Sequence, residues 1–224
     1  MPHPRPTGPT EALSSRLRSA TSEIHKEAEQ RPFMQSFFAG ALPRHAYIEW
    51  LSRQWHLYRA LESGLATLPT GSPEGDVVPA ALHRTARIAA DLDHLTAGAW
   101  DEAIPPSAAT LHYVNRIEST YDFPAGLLAH AWLRYMGNVG GRDVLRRITA
   151  SSLGLDPDVE PYGLSFTDFS SIGEVRPFFA KFHAALDALA IDDDEIERAV
   201  VEASAGFRLN IALTDELALD CGIA

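Results

Sequence analysis

Apolar positions along this chain recur every three or four residues, the period of a helix face, and no stretch keeps the alternation of a strand. Leu13, Leu17, Ala20, Ile24 and Ala28 form one such stripe and predict a helix over 11–30. A short helix over 33–39 ends at Gly40. Pro43 suits the first turn of a long helix reaching about Leu68, with Tyr47, Leu51, Trp55 and Tyr58 along it. Residues 70–79 are a Gly/Pro/Ser loop. Residues 80–97 read as a helix stopped by Gly98, and Ser107 caps the next, through Tyr121. Another helix spans 123–153, and Pro157, Pro161 and Gly163 break any pattern over 154–170. Residues 174–190 are helical, with Pro177 in the first turn. Asp192 and Glu195 form an Asp version of the capping box and open a last helix to about Leu219. The fold class is all-α: one domain over 11–224 behind a Pro-rich tail, residues 1–10, expected to be disordered.

The 123–153 stretch departs from an ordinary helix. Leu127, Leu128 and Ala131 precede it at helical spacing, and Val144, Leu145 and Ile148 follow. Yet Gly137, Gly140 and Gly141 fall within five positions. Each Gly costs a helix interior roughly 1 kcal/mol relative to Ala, so the cluster needs a reason. Gly137 and Gly141 share a face and bare the backbone along it, which predicts a kinked helix admitting something flat against its main chain. A loop between two helices, or a close helix crossing, fits the spacing equally well. A nucleotide loop does not: neither G-x-x-x-x-G-K-[ST] nor G-x-G-x-x-G is present.

Charge and cysteine usage narrow the function classes. With 224 residues and a net charge of −11, the chain is a poor partner for nucleic acid or an anionic membrane surface. Any anionic ligand must be held by locally gathered cations. The single cysteine, Cys221, rules out an internal disulfide, a Cys-rich zinc site and an iron–sulfur cluster. No apolar run reaches the length of a membrane span and no apolar signal core is present, so the expected location is the cytoplasm.

Of nine histidines, His25 has the best company. Arg18 lies on the same face, about 10 Å back along the axis, and Glu29 follows one turn later, where a carboxylate fixes an imidazole's tautomer. One neutral His ligand, a nearby cation and a glycine-rich opposing helix suit a haem slot, and suit other all-α pockets built on one His. A di-iron bundle needs Glu-x-x-His pairs, which are absent. Cys221 is a weak nucleophile candidate, and no elbow motif supports a Ser/His/Asp triad.

These residues resemble a known family. LRSATSEIHKEAEQRPFM, from Leu17, is similar to the proximal helix of the biliverdin-forming haem oxygenases, bacterial type. WHLYRALE, from Trp55, resembles the helix carrying a distal-pocket tyrosine, here Tyr58. AHAWLRYMGNVGGRDVL, from Ala129, looks like the distal helix, and FRLNIALTDEL, from Phe207, resembles the closing helix with Asn210. The four motifs occur in the family's order and cover nearly all the chain after the tail. The resemblance implies the family's fold, with haem b between a proximal helix and a kinked distal one. It makes His25 the axial iron ligand, supported by Glu29. Arg18 and Arg176 fall at propionate-binding positions, with Trp132, Gly140, Lys181 and Phe207 also around the haem.

Four departures accompany the likeness, one being that the family's Ser-Gly-Gly becomes Gly140-Gly141-Arg142. The distal aspartate is Asn138 here, a propionate-binding tyrosine is Trp132, and a second basic residue is replaced by Ala180 beside Lys181. The implied activity is oxidative cleavage of haem at a meso carbon to biliverdin, carbon monoxide and ferrous iron, using O2. Gly137 and Gly141 would crowd the ring, while Asn138, Arg134 and Tyr58 hold the water that delivers protons. Electrons would come from a separate reductase, ferredoxin or flavodoxin, and a monomer is expected. The alternative is a haem carrier or sensor on the same fold with little turnover.

Overall fold

The computed structural model describes residues 11–100, 105–158 and 162–223, and within these the regular structure is entirely helical. The expected tail, residues 1–10, lies outside the described residues. α1 (Leu13–Glu29) opens the chain. Its buried side is Leu13, Ser14, Leu17, Thr21 and Ala28; Ala20 is exposed and Ile24 half-buried, so the predicted stripe is rotated. Thr21 can be buried because its hydroxyl returns to the Leu17 carbonyl at 2.7 Å. The start of α1 is tied down from outside: the Ser14 N–H and hydroxyl donate to the two oxygens of Asp187, each at 2.8 Å.

α2 (Pro32–Phe38) and α3 (Arg44–Leu65) follow. α3 is the internal strut, with Tyr47, Leu51, Trp55, Tyr58 and Leu61 all buried. The predicted helix over 80–97 is in fact two pieces, a 3-10 turn (Ala80–Leu82) and α4 (Thr85–Leu95). The break has a tertiary cause. The Glu62 carboxylate accepts the N–H groups of Arg84 and Thr85, capping α4 from α3. The fully buried Arg84 guanidinium spends its donors on the carbonyls of Ala81, Leu82 and Asp168.

α5 (Ala108–Glu118) starts at Ser107, whose hydroxyl accepts the Thr110 N–H. α6 (Pro124–Leu153) is one unbroken helix that passes through all three glycines and ends at Gly154 in the left-handed region. The loop reading of those glycines is therefore wrong. α7 (Val175–Asp187) and α8 (Asp193–Asp220) complete the chain, and α8 opens on the predicted Asp192/Glu195 capping box. α6 packs on α8, α1 on α8 and α7, and α3 on α4 and α5. Between α1 and α6 the packing opens into a cleft.

Candidate functional site

The cleft has a volume of about 520 Å³, within the range of small-molecule sites. α1 supplies Arg18, Thr21, Ser22, His25 and Lys26 as one wall, and α6 supplies Trp132, Arg134, Met136, Gly137 and Asn138 as the facing one. Phe207 and Asn210 of α8 close one side, and Met34, Trp50 and Gln54 another. Of the sequence candidates, the fold thus gathers Arg18, His25, Trp132, Arg134, Gly137, Asn138, Phe207 and Asn210 around one space.

On the α1 wall the His25 side chain is half exposed, at 51%. The Phe207 ring meets it edge-on, 5.5 Å between centroids, which fixes the imidazole's tilt. Glu29 is the carboxylate beside it, but Nδ1 to Oε1 is 3.8 Å, beyond hydrogen-bonding distance. With Glu29 on the Nδ1 side, Nε2 is the nitrogen left for a ligand. Arg18 has no hydrogen-bond or ion-pair partner among the described residues, whereas Lys26 is paired with Glu23 at 2.8 Å.

The α6 wall is bare at Gly137: a Cβ built there meets nothing within 4 Å. Asn138, one residue on, is held from behind. Its Nδ2 donates to the Tyr58 hydroxyl at 2.7 Å and to the Arg134 carbonyl at 2.9 Å, and Tyr58 itself donates to that carbonyl at 3.0 Å. Burial pushes the Tyr58 phenol up, outweighing the pull of Arg134, so it remains a neutral donor. The Arg134 guanidinium is buried, has no carboxylate partner among the described residues, and donates to Asn210 Oδ1 at 3.0 Å and to Gln54 Oε1.

Other candidates stand elsewhere. Tyr58 is buried behind Asn138 rather than in the wall. A Cβ on Gly140 would meet the Phe179 ring at 3.4 Å, and one on Gly141 would meet Leu145 at 3.3 Å, so neither glycine bares the backbone to the cleft. Trp132 lines the cleft but aims its N–H at His183 Nε2, 3.3 Å away on α7. Arg176 is exposed and outside the lining, and Lys181 lines a separate groove with Phe178 and Phe182. The anionic edge of a ligand is left with Arg18.

Sequence reasoning missed Met34, Trp50 and Gln54. Gln54 carried a signal, a polar amide one turn after Leu51 and one turn before Tyr58, on a face otherwise apolar. It is fully buried, and its Nε2, like Arg134 Nε, has no hydrogen-bond partner among the described residues.

The arrangement fits a flat ligand whose cation takes one imidazole. The described residues contain no cluster of three potential metal ligands that would hold a bare ion. The open face at Gly137 admits a ring against main chain, with the hydrogen-bonded Asn138, Tyr58 and Arg134 beside and behind it. A family model described as heme oxygenase matches residues 11–216. The heme oxygenase of Guillardia theta is 32% identical over 92% of this chain and 86% of its own length. Heme oxygenase 1 of Rattus norvegicus is 33% identical over 97% and 75%. Among solved structures, heme oxygenase from Leptospira interrogans superposes with a TM-score of 0.85 at 31% identity, covering 92% of this chain and all of the other (100%). Heme oxygenase-1 from the cyanobacterium Synechocystis, solved in complex with heme, gives 0.85 at 26% identity over 94% of each chain. Sequence, fold and the pairing of His25 with a bare glycine wall agree, and the chain belongs to the haem oxygenase family.

Proposed function

We propose that this protein cleaves haem oxidatively at a meso carbon, giving biliverdin, carbon monoxide and ferrous iron from O2 and externally supplied electrons. The observation that carries this reading is the placement of His25 and the exposed backbone of Gly137 on facing walls of one cleft. Family membership supports it, and so does the polar network behind the α6 wall. When bound, haem supplies the iron at which O2 is activated.

The chain's own residues do the rest. His25 would hold the iron through Nε2, with the Phe207 ring packed edge-on against the imidazole. The bare face at Gly137 would let a flat ring approach the α6 main chain opposite His25. Asn138 spends both amide hydrogens on Tyr58 and the Arg134 carbonyl, so it offers the cleft its Oδ1, an acceptor for water. Arg18 holds a propionate by a charge-assisted hydrogen bond. The electron donor is a separate reductase, ferredoxin or flavodoxin, since the sequence carries no flavin or iron–sulfur motif. No described helix is long and apolar enough to cross a membrane.

The test is to add haemin, a reductant and O2 and to follow the replacement of haem absorption by that of biliverdin. His25→Ala removes the iron–imidazole stretch from the ferrous resonance Raman spectrum. A native protein that binds haem with this stretch yet forms no biliverdin with a competent donor is a carrier instead.

A further inference from the structure

Of the basic residues expected at the ligand's anionic edge, only Arg18 reaches the cleft. α7 brings another polar group to the same end. His183 follows Ala180 by three residues, one turn along the same side of the helix. It is half-buried, and its ring packs beside those of Phe179 and Phe182, with centroids 6.0 and 6.3 Å away. Trp132, whose side chain lines the cleft, places Nε1 3.3 Å from His183 Nε2. An indole N–H can only donate, so Nε2 is the bare, accepting nitrogen and a neutral His183 carries its proton on Nδ1. That Nδ1 has no hydrogen-bond partner among the described residues, and it is not sealed from solvent. Burial pushes the imidazole below its ordinary 6.5; Arg18 of α1 adds to the push and Asp187 of α7 opposes it, while α6 faces it with the uncharged Trp132. Asp187 does not take the Nδ1 proton, since its two oxygens accept from the Ser14 N–H and hydroxyl.

Resting on the haem oxygenase reading, we propose that His183 is a second residue holding the ligand's anionic edge, donating its Nδ1–H to a carboxylate beside Arg18. Trp132 fixes the tautomer that makes this donor available. Arg18 supplies charge, and His183 supplies a directed, neutral hydrogen bond. Protonating Nε2 would set two N–H donors against each other across the Trp132 contact, so at neutral pH the imidazole works uncharged. Two departures from the family pattern are offset together: Trp132 gives up a hydroxyl and Ala180 gives up a cation, and His183, held by the first and one turn beyond the second, restores a donor to that end of the cleft.

The test titrates the full chain with two probes, haemin and haemin dimethyl ester, and reads binding by Soret absorption at neutral pH. The ester keeps the ring and the iron and loses the carboxylates. His183→Leu should weaken haemin about tenfold, the low end for a hydrogen bond to a charged group, and leave the affinity for the ester unchanged. His183→Gln should restore haemin binding, because its amide oxygen can accept from Trp132 while its nitrogen donates onward. Equal losses for both probes mean that His183 only props the Trp132 wall, and they overturn the proposal; so does an unchanged affinity for haemin. If His183→Leu does not fold, Arg18→Ala decides. A remaining preference for haemin over the ester supports His183 as the second partner, and its complete loss overturns that role. These outcomes leave the haem reading standing; a native chain that binds neither probe overturns both.

Discussion

Gly137 allows the cleft and the stability of the fold to be separated by a single methyl group. It lies in the interior of α6, where Gly costs about 1 kcal/mol relative to Ala. A Cβ there meets nothing within 4 Å, so the methyl creates no clash in the free protein. Gly137→Ala should therefore stabilise the ligand-free chain by about 1 kcal/mol, a rise in Tm of roughly 2–4 °C for a domain of this size. The same methyl projects into the space the ring is to occupy. Overpacking of that kind costs about 1–3 kcal/mol, which weakens haem binding by about five- to 150-fold. Gly126→Ala is the contrasting control. A methyl there would press into the Phe123 ring and lie 3.2 Å from Glu202 Cγ, so it lowers Tm and leaves the cleft untouched. The assays are thermal unfolding of the ligand-free proteins and haem titration by Soret absorption. If Gly137→Ala binds haem as tightly as the native chain, the ring does not lie against this face. If it lowers the ligand-free Tm, the open space above Gly137 is illusory.

Two further perturbations have signs set by the structure. Asn138→Asp strengthens the hold on water by adding charge, raising the biliverdin formed per haem consumed. It also removes the donor to the Arg134 carbonyl, lowering ligand-free stability by about 1–3 kcal/mol; a rise in stability contradicts the amide orientation. His130 is pushed below its ordinary 6.5 chiefly by burial, with Glu202 pulling the other way. Between the folded value and 6.5 the unfolded chain binds more protons, so stability falls as pH drops through that window and levels off below it. Urea unfolding from pH 5 to 8 should show a shallower slope in His130→Gln, and an identical slope excludes His130 as a source.

Helix order, the α8 capping box and the glycine-marked α6 were legible because their causes are local. The stop before α4 was not, because Glu62 lies 22 residues from the N–H of Arg84 that it caps. The rotated stripe of α1 escaped for a similar reason: Thr21 counts as polar until its bond back to Leu17 is seen. In the cleft, His25, Gly137 and Asn138 were read from motif and face. Arg176 and Lys181 were placed by the resemblance of α7 to the family's penultimate helix, and a matched position does not say which way α7 turns its sides here. Lys181 shares a side with Phe178 and Phe182, which line the groove beside Val77 and Ile172. Gln54 was passed over because a lone amide within an apolar stripe reveals no partner until Arg134 arrives from another helix.

Arg134 also bears on how this cleft can change by mutation. The carbonyl that orients Asn138 belongs to the main chain, so it survives every side-chain replacement at position 134 that preserves α6. The guanidinium that orients Gln54 does not. The acceptor at Asn138 is hard-wired, whereas the Gln54 amide behind it is held only by a side chain. Sequence drift at positions 54 and 134 can repack the layer next to the α6 wall, while the fold and the acceptor at Asn138 remain as they are.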